Sequence, residues 1–126
     1  MRLLLDTHIF LWLVVGKFHL IRSEVLAALQ NLENKCFLSV VSVSEIELKI
    51  KMRKITLPAN WEALRKQNQC DWLDFKPAHV LLLEQLPLIH RDPPDRLLAA
   101  QALAEDLTLV TADRNLLKYP IKTVRA

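Results

Sequence analysis

Residues 90–113 read HRDPPDRLLAAQALAEDLTLVTAD. Asp92 ahead of Pro93 is a helix-opening signal, a capping carboxylate before a proline at the first helical position, where the missing N–H costs nothing. The stretch Pro93–Glu105 is predicted to be that helix. The apolar run Leu107–Val110 behind it is predicted to be a strand. A helix leading straight into a short, wholly apolar strand belongs to a β–α–β arrangement, whose strands run parallel and are buried on both faces. Asp113 stands just past the end of that strand, and Asp95 sits in the first turn of the helix before it.

The same alternation runs through the rest of the chain. Further strands are expected at Arg2–Leu5, Cys36–Ser39, Trp72–Phe75 and Ile121–Val124. Helices are expected at Thr7–Val15, Ser23–Asn34, Ser42–Lys54, Trp61–Gln69 and Pro77–Gln85. Asn60 suits a cap before Trp61, Pro77 suits a first helical position, and Gly16 suits a left-handed C-cap. The fold class is therefore α/β, a three-layer sandwich with a parallel sheet of about five strands and helices on both faces. Sheets of this kind carry their sites beyond the carboxyl ends of the strands, where strand order reverses.

At 126 residues the chain is long enough for one domain with a single core, and 52% hydrophobic against 25% charged residues marks it as globular. Gly16 is the one glycine, so the glycine-rich loops that cradle nucleotide phosphates are excluded. Cys36 and Cys70 lie far apart in sequence and form no metal or redox motif, which predicts two reduced core thiols. The apolar stretch Ile9–Val15 is too short to span a membrane, and no secretory leader pattern stands at the amino end. A cytoplasmic protein without a membrane partner is expected. Net charge is +3, from 17 Lys+Arg and 14 Asp+Glu. Lys49, Lys51, Arg53 and Lys54 cluster, Arg65 and Lys66 follow, and Lys118, Lys122 and Arg125 lie near the end. A basic surround about an acidic pit suits a phosphodiester substrate, although each cluster alone reads equally as a solvated helix face.

Acids at the ends of apolar runs carry the chemistry. Asp6 follows RLLL, Glu45 follows FLSVVSVS, Asp113 follows LTLVTA, and Asp95 opens the helix before the fourth strand. Each has an ordinary structural reading. Asp6 could cap the first helix, Glu45 could close a capping box with Ser42, Asp95 suits the helix dipole, and Asp113 could cap a short helix through Arg114–Leu117. Parallel strands, however, bring all four to one edge of the sheet. Clustered carboxylates repel and raise one another's pKa, and a fold tolerates this when a divalent cation neutralises them. Asp6 and Asp95 are the principal candidate ligands, with Glu45 and Asp113 in support. Asp92 is assigned to the cap. Thr7, Thr111, Ser42 and Ser44 are nearby hydroxyls. His8 and His90 are read as structural or as supports of the ligands, and Arg96 as a partner for a carboxylate or a phosphate.

The segments LLLDTHIFLWLV, SVVSVSEIELKIKMRKITLP, LPLIHRDPPDRLLAAQALAEDLTLVTAD and the final IKTV resemble the PIN-domain toxins of bacterial toxin–antitoxin pairs, the VapC type. The resemblance runs nearly end to end and is weakest from Asn60 to Phe75. Ser44 departs from it, standing where relatives often carry tryptophan. It implies a PIN fold over residues 1–126 and a Mg²⁺- or Mn²⁺-dependent endoribonuclease. By its motifs Asp6, Glu45, Asp95 and Asp113 would form the acidic site. It also implies an RNA substrate, a homodimer and a cognate antitoxin. A receiver-type phosphoacceptor is disfavoured, because Asp74 lies inside WLDF rather than after it. An aspartyl phosphatase is disfavoured because Asp6-Thr7-His8 is not D-x-D. A PIN module that binds RNA or an antitoxin without cutting remains the alternative, and it would be marked by loss of an acid.

Overall fold

Leu3, Leu4 and Leu5 are each no more than 1% exposed, yet they pack into two different cores. Leu3 and Leu5 join Ile9, Phe10, Val25, Ile46 and Trp61, whereas Leu4 joins Leu98, Ala99, Leu109 and Leu116. That split is the two-residue period of a strand buried on both faces. A computed structural model of the chain describes residues Met1–Ala126 and places this strand, β1 (Arg2–Leu5), at the centre of a five-stranded sheet. The other strands are β2 (Lys35–Ser39), β3 (Cys70–Leu73), β4 (Thr108–Thr111) and β5 (Thr123–Arg125). Their order is β3-β2-β1-β4-β5, and every neighbouring pair is parallel. Strand order reverses at β1, so the crevice beyond β1 and β4 is where a site belongs.

The helices are α1 (Thr7–Val14), α2 (Ser23–Gln30), α3 (Val40–Lys51), α4 (Leu64–Gln67), α5 (Pro77–Leu81) and α6 (Pro93–Ala104). Each fully buried leucine, such as Leu38, Leu98 or Leu109, contributes roughly 1.5–3 kcal/mol from burial. No helix is long and apolar enough to cross a membrane.

Several element boundaries differ from the sequence expectation. β3 runs two residues earlier than WLDF, because its register is set by pairing Cys36 with Cys70 and Ser39 with Leu73. As an edge strand it leaves Asp71 and Trp72 exposed, so its own apolar pattern is a poor guide. β5 begins at Thr123, where pairing to Leu109 starts. α2 stops at Gln30 rather than Asn34, and the Asn34 side-chain amide instead donates to the Ala28 carbonyl. The Trp61–Gln69 segment divides into a 3₁₀ turn at Trp61–Ala63 and the short α4, and Asn60 makes no capping bond. Gly16, at φ 77, does follow α1 in the left-handed region. With no other glycine to use, the chain places Arg53, Gln69 and Asp106 in that region too.

Cys36 and Cys70 are free thiols that face one another across β2 and β3. A hydrogen bond between them, together with burial, raises the Cys36 thiol far above its usual range. Distance in sequence had hidden this pairing.

Candidate functional site

β1 ends at Leu5, and the Asp6 amide continues its ladder by donating to the Val110 carbonyl at 3.0 Å. This puts the Asp6 side chain at the switch point, 3% exposed. Asp6 holds the N-cap position of α1 but makes no side-chain capping bond. Its Oδ2 accepts from the Thr111 hydroxyl at 2.7 Å, while its Oδ1 is buried without any hydrogen-bond partner. Burial pushes the Asp6 carboxyl up, and the Thr111 bond only partly opposes this. An orphaned buried carboxylate oxygen is costly, so capping does not explain Asp6.

Asp95 is the third residue of α6, behind Pro93 and Pro94. Its carboxyl is pushed up to about 7, first by burial, then by the charges of Asp6 and Asp92; Glu45 adds to this and His90 opposes it. Mutual repulsion of this kind places Asp6, Glu45 and Asp95 in one electrostatic neighbourhood. Asp92 was assigned to a cap, but it makes no side-chain capping bond. It is an exposed carboxylate whose charge acts on Asp95.

Glu45 does not close a capping box. α3 starts at Val40, capped by the Ser39 hydroxyl accepting from the Val41 amide, so Glu45 lies in the second turn. Its Oε2 accepts from the Thr7 hydroxyl at 2.9 Å, and its Oε1 is 3.2 Å from Lys49 Nζ. The Thr7 hydroxyl also stands 2.9 Å from the Ser42 hydroxyl. Ser44 turns away, donating to the Val41 carbonyl.

Asp113 is the most fully engaged of the four. Its Oδ1 accepts from the amides of Asn115 at 2.7 Å and Leu116 at 3.2 Å, opening the 3₁₀ turn Leu116–Lys118. Its Oδ2 lies 3.1 Å from His90 Nε2. Burial would raise this carboxyl, but the two amides and the histidine outweigh it and hold it below the usual range. Thr111 links both flanks of the site, donating to Asp6 and accepting from the Asp113 amide at 3.0 Å.

His90 sits at the junction. Its Nε2 is 3.0 Å from Asp95 Oδ2 and 3.1 Å from Asp113 Oδ2. The ligand atoms of His90, Asp95 and Asp113 all lie within 4.8 Å of one another. The Tyr119 hydroxyl accepts from the His90 amide at 3.0 Å and donates to the His90 carbonyl at 3.3 Å. Arg96 forms no ion pair with a carboxylate. It donates to the Tyr119 hydroxyl and to the carbonyls of Pro87 and Leu83, fastening the loop that carries His90. Sequence reasoning had no signal for Tyr119, the one tyrosine of the chain. His8 is exposed, and its proximity lowers Asp6.

The donor set fits a hard divalent cation. It is built from carboxylate oxygens, one of them buried and unpartnered, and a cation would relieve the repulsion that lifts Asp6 and Asp95.

A family model described as the PIN domain matches residues 3–122. The chain belongs to the PIN-domain family. Its fold is similar to that of VapBC2 from Rickettsia felis, solved bound to a DNA fragment from its promoter. That likeness has a TM-score of 0.71 at 17% identity and covers 98% of both chains. It is also similar to the DNA-bound VapBC of Salmonella typhimurium, with a TM-score of 0.68, 19% identity and coverage of 98% of this chain and 97% of that one. For FitAcB from Neisseria gonorrhoeae the TM-score is 0.61 at 20% identity, over 98% of this PIN domain and 96% of that chain. No curated protein matches the chain.

Proposed function

We propose that this PIN-domain protein is the toxin of a type II toxin–antitoxin pair, an endoribonuclease that requires Mg²⁺ or Mn²⁺. The observation that carries the reading is the Asp6 carboxylate, desolvated and with one oxygen unpartnered, beside an Asp95 carboxyl raised to about 7. Structural carboxylates are paired, whereas Asp6 keeps a buried oxygen without a partner and Asp95 is raised even with the His90 nitrogen 3.0 Å away. Asp6 and Asp95 would hold the cation, with Glu45 and Asp113 completing the site directly or through water. When bound, the cation supplies Lewis acidity toward a phosphate oxygen and toward the water that attacks phosphorus.

The chain's own residues orient these groups. Thr111 fixes Asp6, Thr7 fixes Glu45, and His90 holds Asp113 while its ring nitrogen stands 3.0 Å from Asp95. The amino ends of α1 and α6 point partial positive charge at the cluster, which favours ionised carboxylates. Hydrolysis adds one water across a P–O bond, leaving a phosphate monoester and a free hydroxyl. Lys51, Arg53, Lys54 and Lys66 are exposed and form no ion pair. Lys49 and Lys122 are tied to Glu45 and Asp106, and Arg65 stacks over Trp72 with its carbon 4.4 Å from the ring centroid.

The toxin–antitoxin assignment draws on the likeness to VapBC and FitAB complexes and on the motifs around Asp6 and Asp95. A cognate antitoxin covering the acidic crevice, and a homodimer, follow from the same reading. No acid of the cluster is missing, which disfavours a binding module that does not cut. The test is cleavage of total RNA by purified protein. EDTA should abolish it, and Mg²⁺ or Mn²⁺ in excess should restore it. Undiminished cleavage in chelator would refute the metal-dependent reading.

A further inference from the structure

We infer that the groove walled by Ser44, Phe75, Pro93, Pro94 and Leu97 is a nucleobase subsite, which receives the base of a nucleotide whose phosphate lies at the acid cluster. The inference rests on the endoribonuclease reading above and deepens it, adding a contact for a base to a site so far described for phosphate alone. The groove has a volume of about 360 Å³, at the lower end of the range typical of small-molecule sites. It lies between the starts of α3 and α6, two helices that pack together, and Phe75, which follows the end of β3. Ser44 immediately precedes Glu45, and Pro94 immediately precedes Asp95. The same two helix starts therefore carry both the carboxylates and the groove, and the two are continuous.

The chemistry of the lining selects the occupant. No charged side chain lines the groove. Its one polar side chain, Ser44, donates to the Val41 carbonyl at 2.8 Å within its own helix. Such a surface offers nothing to a phosphate or an ammonium group, and suits a flat, uncharged one. Phe75 supplies the platform. Its ring is 40% exposed and packs against the buried His79 ring, with centroids 6.0 Å apart and planes tilted by 55°. His79 is itself held by the Lys76 amide and by Glu105. The Phe75 ring is thus positioned before any ligand arrives, which lowers the ordering cost of binding. Pro93 and Pro94 add rigid apolar rings, and the short side chain of Ser44 leaves the space between the walls open. A single-stranded nucleotide divides in the same way, into a charged phosphate and a flat base that stacks on aromatic side chains. The apolar surface continues from Phe75 to Val80 and Leu81 on α5, so a second copy of the chain is the competing occupant. Continuity with the carboxylates favours RNA.

The experiment measures binding of short single-stranded RNA by fluorescence anisotropy, with Ca²⁺ in place of Mg²⁺ so that the RNA is held without being cut. The probes are an intact oligonucleotide and an abasic one with the same ribose–phosphate backbone. Wild type should bind the intact RNA about tenfold tighter or more. Phe75→Ala removes the platform and Ser44→Trp fills the groove. Each should shrink that ratio several-fold while leaving affinity for the abasic RNA unchanged, and Phe75→Trp should preserve the ratio. Both positions are exposed, and circular dichroism reports whether each variant is folded. Equal binding of the two RNAs by wild type would overturn the inference, as would a ratio that both folded variants leave unchanged. Sedimentation of the same proteins addresses the competing occupant. A wild-type dimer that both variants convert to monomer, with the RNA ratio unmoved, would assign the groove to a second copy and overturn the inference. None of these results touches the endoribonuclease reading, which stands or falls on RNA cleavage in Mg²⁺ and in chelator.

Discussion

Replacing Asp95 by asparagine should stabilise the cation-free protein while ending its activity. Asp95 is 15% exposed and titrates at about 7 in the fold, against an ordinary value of 3.8. The folded state thus holds a proton that the unfolded chain has already released. Stability contributed by this group is greatest in acid and falls as pH rises through that interval, levelling off above it. The full effect is about 4 kcal/mol at pH 8 and about 1 kcal/mol at pH 4.5, taking 1.36 kcal/mol per pH unit. Asparagine has nearly the same shape but carries no charge. In urea unfolding with EDTA at pH 8, Asp95→Asn should therefore exceed wild type by up to about 4 kcal/mol. At pH 4.5 the gap should shrink to about 1 kcal/mol. Mg²⁺ at 100 times its dissociation constant should stabilise wild type by about 2.7 kcal/mol and leave the variant unmoved. A variant no more stable than wild type at pH 8, or one with the same pH slope, would refute the claim that Asp95 is ionised at the expense of the fold.

Asp6→Asn should reduce RNA cleavage to background and abolish Mn²⁺ binding while retaining the circular dichroism of the wild type. Its unfolding midpoint at neutral pH should rise, since burial raises that carboxyl as well. Tyr119→Phe strips partners from the His90 amide and from Arg96; it should cost about 1–3 kcal/mol in urea unfolding and slow cleavage by loosening His90. Gln69→Gly relieves a left-handed residue at φ 55 on the exposed end of α4. It should raise stability by about 1 kcal/mol, leaving activity unchanged.

That the four acids gather was legible in the sequence because, in a parallel α/β sheet, strand ends and helix starts share one edge, whatever the details of packing. The same periodicity carried the fold class, the strand at RLLL and the helix at Pro93. What it misjudged were features set by partners distant in sequence. The start of β3 depends on Cys70 lying opposite Cys36, and Glu45 turns to the Thr7 hydroxyl instead of closing a capping box. Arg96 read as a partner for a carboxylate or a phosphate until Tyr119 and two carbonyls took its donors.

Residue type and spacing alone determined that carboxylates converge, since that follows from strand polarity and a two-residue period. Tertiary structure alone decided which of them is free. Asp6 keeps an oxygen without a partner because the interior of the sheet offers only one hydroxyl there, from Thr111. Asp113 is spent on backbone amides and on His90 because the turn after β4 folds back over it. A hydrogen-bond inventory is a property of three-dimensional neighbours, and no local pattern encodes it.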